Sequence, residues 1–178
     1  MKLLLIVATA LLFAGCQSPA VVYPSEASAI LNGYTRGEAF RLGSLYDHPG
    51  AGDKVDGFAA LESTQVSGDI AQRVAAIALD PNNFQDQTRR EEFLPTIAWR
   101  LYRLLPAGQG QDAVDVLVSF DCDEVLIVSR DSRLHEFFRR LVTSDAARMK
   151  LLELARDTFP ADSDLSKIPD ARDAAGEN

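Results

Sequence analysis

Apolar residues recur at helical spacing in four stretches of the chain. In residues 66–79, Ile70, Val74 and Ile77 fall three or four apart, with Ala71, Ala75 and Ala78 beside them, and Ser67 stands where an N-cap belongs. Residues 88–105 carry the most pronounced pattern. Phe93, Ile97, Leu101 and Leu104 make one stripe, and Thr88 with Glu91 matches the capping box. Pro95 conflicts with an uninterrupted helix there, so the helix either kinks at Pro95 or opens on it. Residues 131–142 place Leu134, Phe137, Phe138, Leu141 and Val142 on one side, and 145–159 follow Ser144 with Met149, Leu152, Ala155 and Phe159 as the expected buried stripe. Strand-like alternation is confined to 114–120, where Val114, Val116, Val118 and Phe120 share a face, and to 125–129. Asp121-Cys122-Asp123-Glu124 form the turn between them. The pattern predicts an α+β fold: a helix-rich single domain of about four main helices around a short antiparallel β-hairpin.

The remainder is less regular. Residues 33–63 hold six glycines among scattered aromatics; 38–45 reads as a short helix and 48–57 as a loop. Pro19 and Pro24 disfavour helix in 16–32, which reads as a flexible tether with one short helical turn at 25–31. Residues 161–178 are polar, acidic and free of aromatics, the composition of a disordered tail. The expected organisation is a leader at 1–15, a tether at 16–32, a globular domain at 33–160 and an acidic tail at 161–178.

The leader has its own pattern. Lys2 precedes an apolar run from Leu3 to Phe13 broken only by Thr9, and Ala14-Gly15 are small residues before Cys16. That order is a secretory signal, and the run is shorter than the roughly 20 apolar residues that cross a bilayer. Leu12-Phe13-Ala14-Gly15-Cys16 resembles the lipobox of bacterial lipoproteins, with Phe13 where that pattern usually has a smaller aliphatic residue. The resemblance implies cleavage before Cys16, a diacylglyceryl thioether on its sulfur and acylation, as by palmitate, of the new amino terminus. Several acyl chains anchor stably where one binds marginally. Gln17, rather than Asp, follows Cys16. In the sorting pattern of Gram-negative lipoproteins this implies the outer membrane, facing the periplasm, with the inner membrane and the cell surface as the alternatives.

Composition narrows the function classes. Hydrophobic content is 47%, enough for a packed core, so the chain is not a disordered one. A formal net charge of −8 argues against nucleic acid, which needs a basic footprint; such a surface more often serves solubility than recognition, and a basic protein is the partner it would complement. With Cys16 committed to lipid, Cys122 stands alone, so no internal disulfide framework is expected.

Candidate chemistry is sparse. Phe120-Asp121-Cys122-Asp123 after an apolar strand resembles the first motif of haloacid-dehalogenase-type phosphatases. There the first Asp of Asp-x-Asp is a nucleophile and the second a general acid beside magnesium. Glu124 stands where that motif has Gly, Val125 replaces its hydroxyl residue, and a returning strand follows, so a charged hairpin turn is the simpler reading. Cys122 and His135 could pair as nucleophile and base, but Asp121 and Asp123 flank the thiol and raise its pKa; an exposed Cys122 could instead form a mixed disulfide with a partner. His48 and His135 are the only histidines, which disfavours a zinc site. Residues 50–54 lack phosphate-loop spacing, Asp53 and Asp56 lack calcium-loop spacing, and residues 89–92 suit helix-surface ion pairs.

These observations predict a membrane-anchored periplasmic lipoprotein that is not an enzyme and takes no cofactor or metal. It would bind another protein or support an envelope assembly. The alternatives are an immunity or inhibitor protein against a toxin or cell-wall hydrolase, and an envelope hydrolase using Asp121 or Asp123.

Overall fold

The computed structural model describes residues 25–50, 52–85, 92–105, 110–130 and 136–170. Among the described residues eight strands form one antiparallel sheet: β1 (Arg36–Gly43), β2 (Lys54–Val55), β3 (Phe58–Gln65), β4 (Phe84–Gln85), β5 (Ile97–Leu104), β6 (Gln111–Ser119), β7 (Glu124–Arg130) and β8 (Glu136–Thr143). Their order is β2-β3-β1-β5-β6-β7-β8-β4. The helices are α1 (Ser25–Gly33), α2 (Gly68–Leu79), α3 (Asp145–Thr158) and the short α4 (Ser163–Lys167). No described helix is long and apolar enough to cross a membrane.

The helix-rich expectation is therefore overturned: the domain is built on a sheet, and the predicted hairpin is only its β6–β7 part. Two of the four predicted helices are strands. Of residues 88–105, 97–104 are β5, where Ile97, Trp99 and Leu101 point to one face and Ala98, Arg100 and Tyr102 to the other. A spacing of four residues satisfies a period of two as well as one of 3.6, so Phe93, Ile97 and Leu101 do not discriminate between them. The same ambiguity misleads at 131–142, of which 136–143 are β8. Leu141 and Val142 are adjacent and both buried because each face of that strand is covered. Residues 36–43, read in part as a short helix, are β1.

The helices pack on one sheet face. Ile30 and Leu31 from α1, Val74 and Ala78 from α2, and Leu151, Leu152 and Ala155 from α3 meet Trp99, Leu101, Val116, Ile127 and Leu141 in one core. Both predicted serine caps are present: Ser67 accepts from the Ile70 N–H and Ser144 from the Ala147 N–H. Met149, expected in the core, is exposed, and Arg148 and Leu151 are buried in the same turn. Gly37 is required where β1 passes the entry to α2, because a Cβ there would lie 2.6 Å from Val66 Cγ2. On the opposite sheet face Phe40, Leu42, Ala98, Leu117 and Val128 form a second, smaller cluster, over which Phe93 packs with Phe58 edge to face.

Within residues 25–33 and 161–170 the chain is folded. Ala27, Ile30 and Leu31 of α1 are buried, as is Leu165 of α4. Asp162 caps α4, accepting from the Asp164 and Leu165 N–H groups, and Arg156 donates to the Leu165 and Ile168 carbonyls.

Trp99 is the largest fully buried side chain and spans the contact between β5 and α3, where its Nε1 donates to Thr158 Oγ1 at 3.4 Å. Trp99→Ala is expected to cost about 3–5 kcal/mol of unfolding free energy, as large aromatic truncations do. Urea denaturation monitored by circular dichroism measures it.

Candidate functional site

The Asp121–Asp123 segment is the tight turn between β6 and β7, with Ser119 and Glu124 facing across it. Asp121 is exposed. Asp123 sits at a φ of 53°, in the left-handed region that Asp tolerates better than most residues. That geometry turns its carboxylate inward onto α3, where Arg148 Nε donates to it at 2.6 Å. Its carbonyl accepts from both the N–H and the hydroxyl of Thr143. Arg148 Nη1 also donates to the carbonyls of Pro169 and Asp170. One buried guanidinium thus joins the β6–β7 turn, α3 and the segment after α4.

Asp121 and Asp123 do not converge as a nucleophile and acid. The first faces solvent and the second is engaged by Arg148. The strand after the turn returns antiparallel, unlike the loop and helix that the phosphatase resemblance implies. Cys122 is buried, and burial pushes its thiol pKa up; Ser119 beside it acts in the opposite sense and Glu124 adds to the rise. A buried, protonated thiol is neither a nucleophile nor an exposed disulfide partner. Cys16, His135 and residues 89–91 lie outside the described residues. His48 lies in the exposed loop after β1, and Gly50 and Gly52 border open space. Asp56 and Gly57, both at positive φ, form the two-residue turn of the β2–β3 hairpin. Among the described residues no group of three or more His, Cys, Asp or Glu side chains could hold a metal ion.

The other interior charges are engaged similarly. Arg100 and Asp115 face each other across β5 and β6 and share two bonds of 2.6 and 2.7 Å. The hydrogen bonds to Asp115 hold the Arg100 pKa above its ordinary range. Three residues further along β5, on the other face of the sheet, Arg103 pairs with the directly opposite Asp112, and Arg140 pairs with the fully buried Glu124 across β7 and β8.

A cleft absent from any sequence motif lies at the β3 side of the sheet. It is open, about 400 Å³ in volume, with Glu62 and Thr64 of β3 on one wall and residues 158–163 on the other. Arg41 holds Asp162 of that lining: Nε donates to Asp162 at 2.6 Å, and Nη1 donates to the Thr96 and Leu42 carbonyls. Burial opposes ionisation of Asp162, but Arg41 and the Leu165 and Asp164 N–H groups outweigh it and hold the pKa below the usual carboxylate value. Glu62 is exposed and engages no described partner. The cleft thus offers one carboxylate with no described partner and several hydroxyls, a lining that suits a polar or cationic group. Its walls come from segments almost a hundred residues apart, so periodicity and local motifs carry no signal for it.

Two outcomes test the turn. Arg148→Met removes the guanidinium facing the Asp123 carboxylate and is expected to destabilise the domain by about 3–5 kcal/mol, with Arg148→Met/Asp123→Asn recovering most of the loss; urea melts of the three proteins decide it. Iodoacetamide is expected to label Cys122 roughly 100-fold more slowly in the native chain than in urea, measured by mass spectrometry of the peptide that contains it.

No protein-family model, curated protein or solved structure matches this chain.

Proposed function

We propose that this protein is a lipid-anchored periplasmic binding module. It is held to the membrane through Cys16 and binds another protein within an envelope assembly. The observation that carries the reading is the leader: a lysine, a short apolar run and Ala14-Gly15 ending at Cys16. The domain adds support of a different kind. Asp123, Glu124, Asp112 and Asp115, the buried acids among the described residues, are each paired with an arginine, and the cleft presents hydroxyls and one carboxylate with no described partner. That chemistry suits recognition better than turnover. The net charge of −8 favours a basic partner, steered to the surface at low salt. Gln17 favours the outer membrane as the address.

Expression in a Gram-negative host tests both parts. The mature chain is expected to begin at Cys16 and to carry a mass increment for three acyl chains. Cys16→Ser is expected to lose that increment and leave the membrane fraction. Crosslinking in the intact envelope is expected to capture one dominant protein with the wild type and much less with Cys16→Ser. An unacylated wild-type chain sinks the anchor, and an acylated chain with no captured protein sinks the binding role.

A further inference from the structure

On its β2–β3 side the described sheet leaves part of an edge unpaired. β2 pairs with β3 only at Phe58 and Ala59, and beyond it the Ala60 N–H donates to the Asp53 carbonyl. Leu61 is the extra residue of a bulge: Arg41 faces Glu62 and Leu42 faces Ala60, so Leu61 has no opposite number. From Glu62 to Gln65 the strand is regular. The Val66 N–H donates to the Gly37 carbonyl, and antiparallel alternation then turns the backbone groups of Glu62 and Thr64 toward β1. Those of Ser63 and Gln65 turn outward, and no described strand meets them. Leu61, Glu62, Ser63 and Gln65 are all exposed.

Side chains alternate in the complementary way. Glu62 and Thr64 face the helix layer and form one wall of the cleft, whose opposite wall is the α3–α4 connection. A strand laid against Ser63 and Gln65 would direct every second side chain into that cleft. There it would meet the unpartnered Glu62 carboxylate and the hydroxyls of Thr64, Thr158 and Ser163. Asp162 is already held by Arg41, so Glu62 is the charge left for an incoming group.

We propose that the β3 edge takes an extended, lysine- or arginine-bearing segment of a partner protein as a further strand, with its cationic side chains over Glu62 in the cleft. The proposal rests on the binding role proposed above and names the surface and the partner's chemistry. Charge selects the occupant. Two copies of this chain pairing edge to edge would bring together surfaces of net charge −8, with Glu62 close to its own counterpart, and the Leu61 bulge shortens the flat edge on which they could pair. The same features admit a cationic strand, whose backbone supplies affinity and whose alternate side chains supply specificity.

The test uses the full chain in detergent micelles and a fluorescein-labelled decapeptide of alternating Lys and Thr, with a Glu/Thr decapeptide as its opposite. Anisotropy is expected to show saturable binding of the Lys/Thr peptide alone, and hydrogen exchange to show new protection within 61–65. Ser63→Pro removes an outward N–H without touching the ladder to β1, and is expected to weaken binding about 10-fold. Glu62→Lys is expected to weaken it at least as much. If Ser63→Pro does not fold, as judged by circular dichroism, Glu62→Lys with the exchange map carries the decision. Protection elsewhere, equal binding of the Glu/Thr peptide, or no effect of the folded variants overturns the proposal. So does a dimer of the wild type that Ser63→Pro dissolves. If Ser63→Pro and Glu62→Lys still capture the envelope partner by crosslinking, the binding role stands and this edge is not where it acts.

Discussion

The pairing of β1 with β5 holds the domain together. It sets Arg36–Arg41 against Ile97–Tyr102, strands separated by about sixty positions in the chain, and it joins the two halves of the sheet. On one side β5 to β8 run as a meander whose contacts are local in sequence. On the other, β3 and β2 reach the sheet only through β1. Without the β1–β5 ladder the core would divide, because Ala39 of β1 and Trp99 of β5 share the same apolar layer beneath the helices. Closing so long a loop is entropically costly before any contact forms. The ladder is stabilised by what it assembles: the apolar layer on one face and the Phe40, Ala98 and Leu117 cluster on the other.

The ionic pairs act on register rather than on net stability. Arg100 with Asp115 and Arg103 with Asp112 are each directly opposite in the β5–β6 ladder. A slip of one residue would move both arginines to the wrong face and leave two buried acids facing apolar side chains. Desolvation offsets much of the attraction within a buried pair, so such pairs contribute little stability relative to apolar substitutes and strongly penalise the broken arrangement. The net charge of −8 is thus divided in kind. Acids of the interior are matched to arginines within the fold, while Glu62 and other exposed acids face solvent.

The parts of the fold visible in the sequence were those with one interpretation. Val114, Val116 and Val118 alternate over too long a run to suit a helix, and β6 follows. Ser67 and Ser144 each precede an apolar periodic segment, and both cap helices. Where spacing suited both periods, the helical reading prevailed wrongly, as at Phe93, Ile97 and Leu101. Pro95 was the residue that pointed the right way, since it suits the extended entry to a strand and not a helix interior. Asp56-Gly57 carries the two-residue hairpin signal, and reading the glycine-rich stretch as a loop passes over it. For the candidate site, the sequence showed acids at the β6–β7 turn but not their partner, because Arg148 is brought there only by the packing of α3. The cleft was illegible for the same reason: Glu62 and Asp162 become neighbours through tertiary structure alone.

The anchor and the open edge are compatible in space on the proposed reading. Nine peptide units separate Cys16 from Ser25, and a chain of that length reaches at most about 30 Å, so the domain would stay close to the lipid surface. Helix α1 lies over β5 and β6, whereas the β3 edge is two strands farther across the sheet, about 10 Å from β5 at ordinary strand spacing. The described chain therefore begins on the helix layer, two strands away from that edge. On that reading a short tether would also raise the local concentration of the domain against partners in the same membrane plane, adding to the affinity that the backbone groups of Ser63 and Gln65 would supply.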